Sequence, residues 1–129
     1  LDMGDFAGGM LKYLRRHPVP RLTIAGGFGK LVKLGQGAMD LHSSRSQVDH
    51  TALATLAREI GAGAVLARNM AEATSAGAVL ALARDHDLAL ADAVAGRARE
   101  SALATLAGDI ALDVVVIDRA GAIVGRAGA

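Results

Sequence analysis

The residues best suited to chemistry lie close together, between Gly26 and Asp49. Gly26, Gly27 and Gly29 form a glycine turn after the short run Arg21–Ala25, and Lys30 and Lys33 follow. Beyond them stand His42, Ser43, Ser44, Arg45, Ser46 and Asp49, the densest polar cluster of the chain. A glycine turn ahead of a helix exposes backbone N–H groups, which attract carboxylate or phosphate. Helix electrostatics alone would favour an acid in the first turn, so a lysine there points to an expected anion. Lys30, Lys33 and Gly37 share one helix side at i, i+3 and i+7. Two ammonium groups beside a position without a side chain make a positive groove that a flat ligand can approach. The same residues would also suit a plain tight turn and a solvated helix face, and the pattern by itself leaves both open.

Several chemistries are excluded. A phosphate loop of ATPase type needs glycine five positions before Gly29 and a hydroxyl after Lys30, where this sequence has Ile24 and Leu31. A dinucleotide fingerprint would be met by Gly27 and Gly29 but fails at Val32. The looser adenosine-binding turns of methyl-transferring enzymes stay open. His42, Ser43 and Asp49 lack the glycine-flanked serine elbow of a hydrolase and lie too near in sequence to converge as a triad. Ser46 and Asp49 also read as a helix capping box. There is no cysteine, and His17, His42, His50 and His86 include no i, i+4 pair, so no protein-held metal is expected.

The surrounding elements follow from periodicity and breakers. Asp5–Arg16 reads as a helix with Phe6, Met10, Leu11 and Leu14 on one face. Pro18 and Pro20 stop it, and Arg21–Ala25 reads as a buried strand. Phe28–Met39 is the next helix. A further helix starts near Ser46 and runs to Ile60, ended by the Gly-Ala-Gly-Ala segment. Val65–Ala67 reads as a very short strand or extended link. Asn69 with Glu72 resembles a capping box that opens a helix to Arg84. After Asp85-His86-Asp87, Leu88–Ala107 is a helix with a candidate kink at Gly96, stopped by Gly108. Val114–Asp118 and Ala122–Arg126 form a hairpin, with Gly121 able to take positive φ. Three strands and five helices result, in the rhythm of an α/β layer fold. The expected architecture is a layered, Rossmann-like sheet with flanking helices, a single domain over residues 1–129. Strands from an upstream segment would complete it. "ALATLA" occurs twice, at Ala52–Ala57 and Ala102–Ala107. Alanine-rich helix composition accounts for that without a duplication.

The 129 residues are 52% hydrophobic but only 2% aromatic, so the core depends on close helix packing rather than on large side chains. Basic and acidic residues number 14 and 13. Such a balance argues against a general nucleic-acid binder. No apolar run approaches a membrane span and no signal peptide is visible, so a cytoplasmic protein is the expectation. The start at Leu1, without an initiator Met, suggests a fragment.

The stretch from Met3 to Asp49, "MGDFAGGMLKYLRRHPVPRLTIAGGFGKLVKLGQGAMDLHSSRSQVD", closely resembles the carboxy-terminal half of the cobalt-precorrin-5B C-1 methyltransferases, the CbiD family of cobalamin biosynthesis, which implies the carboxy-terminal portion of a longer, two-domain enzyme. That family carries a Gly-x-(Gly)-Lys-Leu-x-Lys-Leu-x-x-Gly run, then Thr-His-Ser, then a small residue before Asp. Gly27 to Leu34, Gly37, His42-Ser43 and Val48-Asp49 correspond, with Leu41 standing in the threonine place. The resemblance implies methyl transfer from S-adenosylmethionine to C-1 of a cobalt-bearing corrinoid precursor, giving cobalt-precorrin-6A. It implies Lys30, Lys33, Ser43 and Arg45 as substrate-binding residues, and Gly26, Gly27 and Gly29 as cofactor-binding ones. His42 would manage a proton, since imidazole titrates near neutrality, and Asp49 would orient Arg45 or accept from a cofactor hydroxyl. The corrinoid precursor and the upstream half of the chain are then the expected partners, with no nucleic acid and no membrane. A homo-oligomer stays open. Two other classes compete: a non-catalytic α/β module that binds an acidic small molecule or nucleotide, and a dimerisation domain resting on its alanine-rich surface.

Overall fold

In the computed structural model, residues 7–17, 20–37, 48–106 and 110–128 are described. The first element, α1 (Ala7–Arg16), buries Leu11 and Leu14, two members of the expected apolar stripe. Strand β1 (Arg21–Gly26) follows the proline segment, and α2 (Phe28–Gly35) starts directly after Gly27. This helix is shorter than the sequence suggests. Gly37 takes φ +91, and its N–H bonds the Leu34 carbonyl at 3.0 Å, which closes the last turn in the manner of a glycine stop.

The middle of the chain differs from expectation in two places. The helix α3 (His50–Glu59) is capped by Asp49, not by Ser46: the Asp49 carboxylate accepts from the Ala52 N–H at 3.0 Å. Val65–Ala67 is not a strand or link but part of a helix, α4 (Ala64–Glu72). One β-branched valine does not outweigh the helix preference of Ala64, Leu66, Ala67 and Arg68. Asn69 therefore sits inside α4 and caps nothing. The next helix, α5 (Ala76–Asp85), is capped by Ser75, whose hydroxyl oxygen accepts from the Ala78 N–H at 3.1 Å. Six helices thus stand among the described residues where five were expected. Asp87, at φ 52, turns the chain out of α5.

The helix α6 (Leu90–Leu106) runs unbroken through Gly96 and organises the rest. It lies against α1, α2 and two strands, β2 (Ala111–Ile117) and β3 (Ile123–Ala127). The expected stop at Gly108 falls outside the described residues. The sheet is small and mixed, in the order β1-β2-β3, with β1 parallel and β3 antiparallel to the central β2. The hairpin turn matches its sequence reading. Gly121 has φ +84, and the Asp118 carboxylate accepts from both the Ala120 and Ala122 N–H groups at 2.9 Å.

Alternation along the strands separates two faces. Ile24, Leu112, Val114 and Val116 are buried against the helices. The other face carries Thr23, Asp113, Val115 and Arg126, none of them buried. Arg21 and Asp113 form an ion pair there at 2.7 Å. The architecture is therefore α/β with a three-stranded sheet covered by helices on one face.

Candidate functional site

Two places on α2 matter for chemistry, and they lie at opposite ends of it. The first is the glycine turn. β1 ends at Gly26, level with Val116 of the parallel β2, so α2 begins at the carboxyl edge of the parallel pair. That edge is where open α/β sheets bind ligands. Gly27 is the N-cap of α2 and supplies no side-chain hydrogen bond, and the first turn holds no acid. The opening N–H groups of the helix are left to other partners. Gly27 has φ −70 and ψ 159, which any residue can adopt, and a Cβ there would meet nothing within 4 Å. Neither backbone conformation nor crowding requires glycine at this position. Gly29 is tighter, with a Cβ 3.6 Å from that of Ala76 in α5. Lys30 and Lys33 are half-buried on the same helix.

The second place is a cleft of about 780 Å³ between the later turns of α2, α3 and α6. Leu31, Val32, Leu53, Leu56 and Val94 make its apolar walls. Asp49, Glu59 and Arg97 bring charge to it, and Arg97 donates to Glu59 at 3.0 Å. Gly35 sets the width at the α2–α6 crossing: a Cβ there would lie 3.0 Å from the Arg97 Cβ and 3.2 Å from the Ala98 nitrogen. The α2 stripe facing this cleft is Leu31, Val32, Gly35 and Gln36. At 100° per residue, Lys30 and Lys33 project from the other side of the helix. Of the residues expected to act together, Lys30 and Lys33 face away from the cleft, whereas Gly37 and Asp49 border it.

Gln36 joins the two ends of the intervening segment. Its amide oxygen accepts from the Asp49 N–H at 2.9 Å, and its amide nitrogen donates to the Asp49 carbonyl at 3.0 Å. The end of α2 is thereby held against the start of α3, and Gly37 and Asp49 both border the cleft. His42, Ser43 and Arg45 fall between them and lie outside the described residues. Asp49 is described and serves as a helix cap. Replacing it with Ala is expected to cost about 1 kcal/mol in urea unfolding, whereas Asn keeps the cap to within a few tenths. A loss of ligand binding seen already in Asp49→Asn would show a chemical use of the carboxylate. A loss seen only in Asp49→Ala would show a structural one.

Gln36, Glu59 and Arg97 were not singled out from sequence. Gln36 sits between Gly35 and Gly37, a polar residue at a helix stop, and that was its one signal. Glu59 and Arg97 are separated by 38 positions and meet only through helix packing. His17 and His86 have local roles. The Nδ1 atoms of His17 and His86 lie 3.2 and 2.9 Å from the carbonyls of Tyr13 and Leu82, one turn earlier in each case. His50 Nδ1 lies 3.3 Å from the Met70 carbonyl. No group of three potential metal ligands occurs among the described residues.

Comparison with known proteins decides the family. Residues 40–128 match the family described as CbiD, C-terminal domain. The chain belongs to the CbiD family. A relative from Paramagnetospirillum magneticum, named cobalt-precorrin-5B C(1)-methyltransferase, is 55% identical over 128 residues, which is 98% of this chain and 35% of the relative. A relative of the same name from Brucella anthropi is 54% identical over 127 residues, 98% of this chain and 34% of the relative. This CbiD chain thus spans about a third of the length of those relatives. No solved structure matches. The CbiD C-terminal match begins after α2 and takes in everything from α3 to β3. The α3 and α6 walls of the cleft belong to it, while the glycine turn precedes it. Among the described residues, no helix is long and apolar enough to cross a membrane.

Proposed function

We propose that this chain is the carboxy-terminal part of an S-adenosylmethionine-dependent methyltransferase acting at C-1 of cobalt-precorrin-5B to give cobalt-precorrin-6A. The observation that carries this reading, beside the relatives' names, is the start of α2. Its N-terminus is uncapped, lacks an acid, keeps open space at Gly27 and places Lys30 within the first turn. That is a setting for anions, and a corrinoid precursor is edged with acetate and propionate carboxylates.

The donor's sulfonium makes its methyl carbon electrophilic: the C–S pair returns to sulfur as the new C–C bond forms. The protein's part is alignment, which for an in-line displacement supplies much of the rate. Lys30 and Lys33 hold substrate carboxylates, joined by Arg45 and Ser43. Gly26, Gly27 and Gly29 let the backbone approach ligand closely. His42 handles the proton, and Asp49 accepts from a cofactor hydroxyl. The remaining length of the relatives would supply the second half of the site and further strands for the sheet, at the outer edge of β1. The protein would work in the cytoplasm.

The test is transfer of labelled methyl from S-adenosylmethionine to the corrinoid. A charge-assisted hydrogen bond contributes about 1.5 kcal/mol or more. Lys30→Ala and Lys33→Ala are therefore each expected to lower kcat/KM roughly tenfold. Unchanged transfer in both would remove the cationic site. A second reading, a non-catalytic module that binds an acidic small molecule or nucleotide, is favoured by the same corner, which needs only an anion. Calorimetry with S-adenosylhomocysteine against adenine nucleotides separates the two.

A further inference from the structure

The two faces of α2 differ in charge as well as in shape. The side bearing Lys30 and Lys33 is cationic. The cleft on the other side has an apolar interior, from Leu31, Val32, Leu53 and Val94, and an acidic rim. Among the described residues, Asp49 and Glu59 stand there against Arg97. A ligand edged with many carboxylates meets repulsion at such a rim. A ligand with a flat heteroaromatic base, a ribose diol and a tail of net positive charge meets the opposite. Apolar walls suit the base, carboxylates suit hydroxyls and cationic groups, and a single guanidinium suits a single carboxylate. The methyl donor has those parts: an adenine, a ribose, a sulfonium, an ammonium and one carboxylate.

We propose that the cleft between α2, α3 and α6 is the binding site of the methyl donor, with its adenosyl group against Leu53 and Leu56, and Glu59 and Arg97 at its charged tail. This rests on the methyltransferase reading above and moves the donor away from the glycine turn. The cleft has the volume of a small-molecule site. The Arg97–Glu59 pair is half-exposed on both sides, 50% and 53%. Such a pair is weak and is easily exchanged for ligand contacts. α2 then sorts the two ligands by charge, the acidic substrate on its lysine side and the cationic donor on its acidic side. Gly37, just past the end of α2, borders the cleft. The methyl group would cross there, past a residue with no side chain, at the end of α2 that Gln36 fixes.

Isothermal titration of the chain with S-adenosylmethionine and S-adenosylhomocysteine tests this. Leu56→Trp fills the cleft and is expected to weaken both ligands at least tenfold. Thr55→Trp, from an exposed wall position, does the same where Leu56→Trp fails to fold. Glu59→Gln is expected to weaken the sulfonium ligand several-fold more than the neutral thioether, a change in ratio that a merely structural effect would not produce. If Gly27→Ala abolishes donor binding while both tryptophan variants bind normally, the donor lies at the glycine turn. The inference is then overturned, and the methyltransferase reading stands. If the unaltered chain binds neither ligand, the donor site proposed here is wrong. Labelled transfer in the presence of the relatives' upstream region then decides the reading above independently.

Discussion

Gly125→Val is expected to destabilise the fold by about 3 kcal/mol or more, read as a lowered urea midpoint by circular dichroism. Gly125 is buried in β3 where that strand crosses the first turn of α6. A Cβ there would lie 2.5 Å from the Ala91 carbonyl carbon and 2.6 Å from its Cβ. The obstruction is helix backbone, so no rotamer change relieves it. The strand must lift off the helix, and the 2.8 Å hydrogen bond from the Arg126 N–H to the Asp92 carboxylate goes with it. Overpacking of this kind costs 1–3 kcal/mol in ordinary cores, and the lost strand contacts add to it. Gly27→Ala is the contrasting variant. Its new Cβ meets nothing within 4 Å, and its φ of −70 suits alanine. Its stability should stay within about 0.5 kcal/mol. A similar loss in both would mean that β3 is not seated on α6.

Leu112→Ala is expected to cost about 2–5 kcal/mol in the same measurement. Leu112 is fully buried at the centre of the sheet, on the face that meets α6. Removing its branched end leaves a cavity between β2 and the helix, and a central strand held on both sides cannot collapse into it. Val115, three residues on, points to the other face and is only half-buried. Val115→Ala should cost less than about 1 kcal/mol, because little apolar area is lost from contact with protein. The difference between the two variants measures which face of the sheet is the core. Equal losses would show that both faces are covered in solution.

The site was legible in the sequence only where its chemistry is local. The glycine turn, the lysine spacing and the strand before them lie within a dozen residues, so pattern was enough to place β1, the start of α2 and the side of the helix on which both lysines fall. The stop of α2 was missed because Gly37 acts through a left-handed conformation that the apolar run around Met39 disguised. The break between α4 and α5 was missed because Asn69 and Ser75 both look like caps. Only the hydroxyl of Ser75 finds a helix N–H to accept from. The cleft was not legible at all. Its charged pair joins α3 to α6 across 38 positions, and its width depends on how closely Gly35 lets two helices approach.

The repeated hexapeptide "ALATLA" shows where sequence stops deciding. Ala52–Ala57 and Ala102–Ala107 have the same residues in the same order, and the sequence made helix of each described part through alanine and leucine propensity. In α3, Leu53, Ala54 and Ala57 are buried, while Leu56 is left at the wall of the cleft. In α6, Ala102 and Leu106 are buried, while Leu103 is half-exposed. Helix formation is a sum of local preferences, and the chain carries those in its own order. Which side of a helix leaves water depends on the neighbour that covers it, and for these two segments the neighbours arrive from distant parts of the chain.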